Sequence, residues 1–299
     1  FGAIYHPVGL AMVVHGRHKT GMRIAINGVF GNMGVACAAL LTGYLIDTAG
    51  WKAAFVVPGA VSIALGIAYG LFVHNGRAAR AAEVASGAAA QKAATGTLAI
   101  DRSLLIRTFA IIFFSTAIGG LIFQSTTFAL PKVFAERLTD IAGTATLVGG
   151  YAFLVFALAA FAQLVVGYLI DNHSVRTVFA FVAALQAVFF VVMIQLTGVF
   201  ALVISIAFML VVFGQIPIND VLVGRIARSE WRARAFSFRY IITFSVSATA
   251  VPMIAWIHAN WGFSVLFGVM AGAATLILAA VLLLPRTAVV TGQAPAAAE

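Results

Sequence analysis

Of 299 residues, 63% are hydrophobic and 9% are charged, with a mean hydropathy of +1.07; a soluble domain runs to about 45–50% apolar and about 25% charged. A chain of this kind cannot keep a wet surface, and its long stretches without a polar face exclude a water-soluble domain. The net charge of +9 raises a nucleic-acid partner, which the placement of the charges argues against.

The charges punctuate seven uncharged runs: residues 1–16, 24–46, 53–76, 108–131, 141–170, 177–219 and 240–285. A helix needs about 20 residues to cross a hydrocarbon core of about 30 Å. The first run is short. The last two are long enough to be helix pairs, broken at Leu196, Thr197 and Gly198 and again between His258 and Gly262, where polar residues and glycine interrupt the apolar sequence. The expectation is an all-α membrane protein of about nine spans. Residues 76–97, rich in Ala, Gly and Ser, read as a linker, and residues 287–299 as an unstructured tail.

When alternate connections are assigned to opposite sides, 15 of the 18 Lys and Arg residues fall on one side and only Lys52, Lys132 and Arg137 on the other. Positive loops resist translocation, so the basic loops and the C-terminus are expected to be cytoplasmic, in the inner membrane. That asymmetry accounts for the net charge without nucleic acid. Cys37, the single cysteine, lies in an apolar run and excludes a disulfide framework.

Gly50-Trp51 followed by Phe55 is echoed by Gly262-Phe263 followed by Phe267, an offset of 212 residues. At that spacing the basic patch at 17–23 falls beside the one at 228–234, and each precedes a long span, a short base-poor turn and a final span. The spans between Leu104 and Gly198 have no counterpart. The repeat therefore places three further helices before Phe1, starting about 107 residues upstream, and twelve helices in two bundles of six. On this reading residues 1–75 are the remainder of the first bundle, 76–103 a central cytoplasmic linker, 104–285 the complete second bundle and 286–299 the tail.

The segment Gly167-Tyr168-Leu169-Ile170-Asp171-Asn172-His173-Ser174-Val175-Arg176 resembles the signature loop of the major facilitator superfamily, in which a glycine lets two helices approach and an aspartate pairs with cytoplasmic bases. Gly167, Asp171 and Arg176 match; Asn172, Ser174 and Val175 stand where that family has a glycine and arginines. Gly28, Gly31, Gly34 and Gly43, followed by Gly50-Trp51-Lys52 and Phe55, resemble the family's fifth helix, where small residues allow close helix packing. The Gly-Pro pair of its antiporter signature is absent, with Cys37-Ala38 nearby instead. Tyr5-His6-Pro7-Val8-Gly9 resembles the fourth helix of a branch that includes fosmidomycin-resistance-type exporters. The resemblance implies two six-helix bundles that carry a small organic solute by alternating access, with no cofactor and no enzyme chemistry.

A carrier needs polar side chains within its spans. All nine acids read as lying in loops, tails or helix ends. His6 either accepts a coupling proton or holds a backbone carbonyl beside Pro7. Gln124 either lines the path or bonds to a neighbouring helix. Arg239, whose repeat partner is Asn27, either faces inward to an anion, its planar fork matching carboxylate or phosphonate, or reaches out to headgroups. Gln215, with Pro217, Asn219 and Asp220, reads as the cap of a bent helix end near a cytoplasmic gate; Gln215 also stands with His6, Asn27, Gln124 and Arg239 as a candidate for the solute path. Gln163 is expected to pack against the signature loop, and Gln186 and Gln195 to be structural. A membrane enzyme would need a motif such as His-Glu-x-x-His or Gly-x-Ser-x-Gly, neither of which occurs; His15 and His18 have no acidic or cysteine co-ligand for a metal. A channel would use a symmetric oligomer, whereas this chain carries its own repeat and is expected to act as a monomer. The substrate reads as an organic anion or a drug.

Overall fold

The computed structural model describes residues 20–75, 102–227 and 232–284. They form eight helices: α1 (Gly21–Ala49), α2 (Ala53–Asn75), α3 (Arg102–Arg137), α4 (Ala145–Asn172), α5 (Val175–Met193), α6 (Gly198–Ile226), α7 (Arg232–Ser247) and α8 (Ala250–Leu282). In lipid every backbone polar group must be satisfied within its own segment, which is why apolar runs of this length become helices. Hydroxyls follow the same rule by bonding back one turn, as Thr126 does to Ile122 O at 2.8 Å and Ser205 to Ala201 O at 2.7 Å.

Seven segments among the described residues are long and apolar enough to cross a membrane, against the nine expected. The expected first span lies outside the described residues, as do His6, residues 76–101 and residues 285–299. The last two expected spans belong to one continuous apolar segment, Arg234–Leu282, which folds back at Gly262 through a non-helical φ of 74° and ψ of −175°. The break anticipated at residue 198 is present, with Gly198 at φ 59°. Gly50, 212 positions before Gly262, has φ 82° and ψ 166°. These positive φ values suit glycine, which lacks the Cβ that would clash, and the two repeat-related turns share one backbone geometry.

The helix ends fall into two groups. Asp171 reaches Gly21 and Arg225, while Arg107 and Arg176 donate to Leu283 O and Leu282 O at 3.1 and 2.6 Å, gathering one set of ends into a basic end. At the opposite end Asp47 meets Thr146, and Arg137 donates to the carbonyls of Met193 and Ile194 at 2.6 and 3.0 Å. Phe156, Phe190, Phe208 and Phe213 are buried in the core where α4, α5, α6 and α8 meet. Phe156 stacks on Phe213 at 6.1 Å, and separately Phe208 meets Phe190 at 5.2 Å and Phe267 at 5.8 Å with tilted rings. α2 packs only lightly, on α1, and between Phe55 and Phe72 its side chains are exposed apart from the half-buried Pro58.

Among the described residues the α1–α4 pair makes the most extensive helix–helix contact. A Cβ built on Gly21 would lie 2.6 Å from Gly167 O, and one on Gly149 would lie 2.5 Å from Ala39 O. Gly43 presses equally on Ala145 O, and Gly28 on the Gln163 side chain. Gly31 and Gly34 have open space around them among the described residues, so the small-residue face is not uniform. Gln163, fully buried, sits beneath Gly28 in this seam.

Candidate functional site

Between α1, α3, α6 and α7 lies a cavity of about 490 Å³. α1 lines it with Ile24, Asn27, Gly28, Gly31, Asn32 and Val35, and α7 lines it with Arg239, Tyr240, Thr243, Phe244 and Ser247. Adding 212 to 27, 28, 31, 32 and 35 gives the five α7 positions. The repeat therefore presents equivalent helix faces to one space, as a two-fold arrangement requires. Because α1 and α7 enter from the basic end, these residues place the cavity in that half of the bundle.

Space for it comes from α3. Gly119 and Gly120 stand where a side chain would strike Gln215 and Thr243, each 2.6 Å from a built Cβ. Gln124 lies one turn further on and also lines the cavity. On α6, Pro217 lies within the helix, and Gln215, Ile216, Asn219 and Asp220 all face the cavity. The cluster thus belongs to the helix interior, not to a cap, because α6 continues to Ile226.

Asp220 is the main departure from the sequence reading, which placed every acid at a helix end or beyond. It is 3% exposed and pairs with the Arg239 guanidinium, itself 5% exposed. Arg239 therefore faces inward, and its charge is matched by a carboxylate. The Tyr240 ring lies 4.7 Å from the guanidinium carbon, adding a cation–π contact. Behind this pair, Gln186 on α5 donates to Gln215 Oε1 at 2.8 Å and to Val211 O at 3.3 Å. Gln186 is buried outside the cavity wall and orients a residue that lies on it.

Among the described residues, four buried side-chain atoms of cavity residues have no hydrogen-bond partner: Thr116 Oγ1, Gln215 Nε2, Asn219 Oδ1 and Arg239 Nε. Buried polar atoms are normally satisfied; these four are closed off within the cavity wall and come within reach of a solute or water only when the wall side chains shift. Of the residues expected along a solute path, Asn27, Gln124, Gln215 and Arg239 meet here, while His6 lies outside the described residues.

The signature-loop residues are at the basic end. Asp171 accepts from Gly21 N at 2.9 Å and Met22 N at 3.0 Å, and its ion-pair partner is Arg225 at 3.4 Å. Arg176, expected as a base near it, instead donates to Leu282 O at the end of α8. Among the described residues no group of three or more His, Cys, Asp or Glu could hold a metal ion.

The Major Facilitator Superfamily model matches this chain over residues 1–140 and 113–299. No curated protein matches it.

Proposed function

The chain belongs to the Major Facilitator Superfamily, a family of membrane transporters, and from that premise we propose that it is a secondary carrier of a small organic solute that binds in the α1–α3–α6–α7 cavity. The observation that carries this reading is the buried Asp220–Arg239 pair on the wall of a cavity with unpaired polar atoms. The basic end is taken as cytoplasmic, from the 15-to-3 division of bases, and the carrier as a monomer of the inner membrane.

Asp220 and an anionic solute compete for one guanidinium. A proton arriving on Asp220 releases Arg239, whose fork then accepts a carboxylate or phosphonate; loss of the proton restores the pair and expels the anion. Proton and anion thus move together with no net change of charge at the site. Phe123, Tyr240 and Phe244 line the same space and suit a solute with an apolar body.

Proteoliposomes loaded with a pH-sensitive dye test this against a panel of carboxylates and phosphonates. At least one anion is expected to drive saturable internal acidification, and Asp220→Asn is expected to abolish the proton flux while leaving anion exchange. Proton flux retained in Asp220→Asn would contradict the coupling; flux that rises linearly with concentration would contradict a carrier.

A further inference from the structure

α1 and α4 run antiparallel, and each carries near its C-terminal end an aspartate that meets the other's first turn. At the basic end this is Asp171, bonded to Gly21 N and Met22 N at 2.9 and 3.0 Å. At the opposite end it is Asp47, which accepts from Thr146 N at 2.6 Å and from the Thr146 hydroxyl. The first N–H groups of a helix have no partner within it and carry the positive end of its dipole, so a carboxylate from a neighbouring helix fastens the two together.

The two fastenings differ in their surroundings. The Asp171 side chain is 4% exposed and has Arg225 at 3.4 Å. Asp47 is exposed, and its described contacts are with Thr146 and the neighbouring backbone of the same helix turn. Beside it the helices meet as bare backbone, Gly43 against Ala145 O and Gly149 against Ala39 O. Close backbone contact of this sort packs the helices well along the whole seam, so what distinguishes its two ends is the setting of their carboxylates.

We propose that Asp47 is the latch closing the α1–α4 seam at the end opposite the basic loops, and that of the seam's two carboxylate latches it releases first. Water competes directly for an exposed carboxylate, whereas the buried Asp171 would have to leave a half-buried guanidinium and two backbone donors together. The proposal rests on the carrier reading, since a latch has a purpose only if the seam opens. It adds an order of events: the cavity opens first towards the side opposite the basic loops.

The test needs no known solute. In a Cys37→Ala background, which removes the exposed native thiol, Val35→Cys places a reporter on the cavity wall. A membrane-impermeant maleimide is applied from either face, using right-side-out and inverted vesicles. Asp47→Ala is expected to raise labelling from the non-basic face by about fivefold or more, the lower end of a usual conformational coupling. Asp47→Asn, which keeps an acceptor oxygen, is expected to retain most of the protection. Unchanged labelling from that face overturns the latch, as does an equal rise from both faces, the mark of general loosening. A reporter that reacts from neither face in any variant overturns the carrier reading as well; one that reacts only from the basic face, in every variant, overturns the latch alone.

Discussion

Asp220 and Arg239 lie 19 residues apart on different helices, and neither makes sense without the other. In a linear sequence a charge normally marks a loop, because a lone ion inside an apolar medium costs far too much. That rule placed Asp220 at a helix end; its failure comes from a partner that local pattern cannot reveal. Arg239 was legible as an inward candidate because the repeat aligned it with Asn27, but its neutralisation was not. Removing either partner leaves an uncompensated charge, which costs about 3–5 kcal/mol for a buried pair. Asp220→Ala and Arg239→Ala are therefore each expected to lower the unfolding midpoint in detergent, and Asp220→Ala/Arg239→Ala to recover much of that loss without recovering transport. Equal stability of all three variants would show the pair to be solvated. Gln186, legible only as structural, holds the Gln215 amide from behind. Gln186→Leu leaves that amide unheld; an unsatisfied buried group costs about 1–3 kcal/mol, or about fivefold to a hundredfold in apparent affinity. The expectation is a raised KM at nearly unchanged maximal rate, measured with whichever anion the flux panel identifies.

Individual helices were easiest to read where hydropathy and punctuation agree, as at Gly50 and Gly198 and in the fold-back at Gly262. Helix packing was harder, because a glycine reads the same whether it meets a backbone or open space. Gly43 lies against Ala145 O, Gly28 against the flexible end of Gln163, and Gly34 against nothing described. Three substitutions separate these cases. Gly43→Ala forces two backbones apart and is expected to cost about 1–3 kcal/mol, the usual range for overpacking. Gly28→Ala is expected to cost less and to be relieved by Gln163→Ala, since a side chain can withdraw where a carbonyl cannot. Gly34→Ala is expected to be neutral. Unfolding midpoints of the purified variants rank them, and a Gly34→Ala as damaging as Gly43→Ala would contradict the packing described here.

At the scale of the whole molecule, the 212-residue repeat proved the most informative sequence feature. It rested on loop charge and turn position, yet it aligns five cavity positions of α1 with five of α7 and gives Gly50 and Gly262 one geometry. What it could not supply was the third dimension: that α3 opens the space with two glycines, and that α6 contributes a carboxylate. The division into 1–75, 76–103, 104–285 and 286–299 remains a proposal about how the chain moves, with α1 and α4 facing each other across the moving seam. The most direct test of alternating access is a pair of spin-label distances, one at each end of that seam. Labels at Arg23→Cys and Asn172→Cys report the basic end, and labels at Lys52→Cys and Gly143→Cys the opposite end, all at exposed positions. On lowering the pH, the account expects the two distance distributions to shift in opposite senses, one end widening as the other closes. A single fixed distance at both ends, or widening at both together, would contradict it.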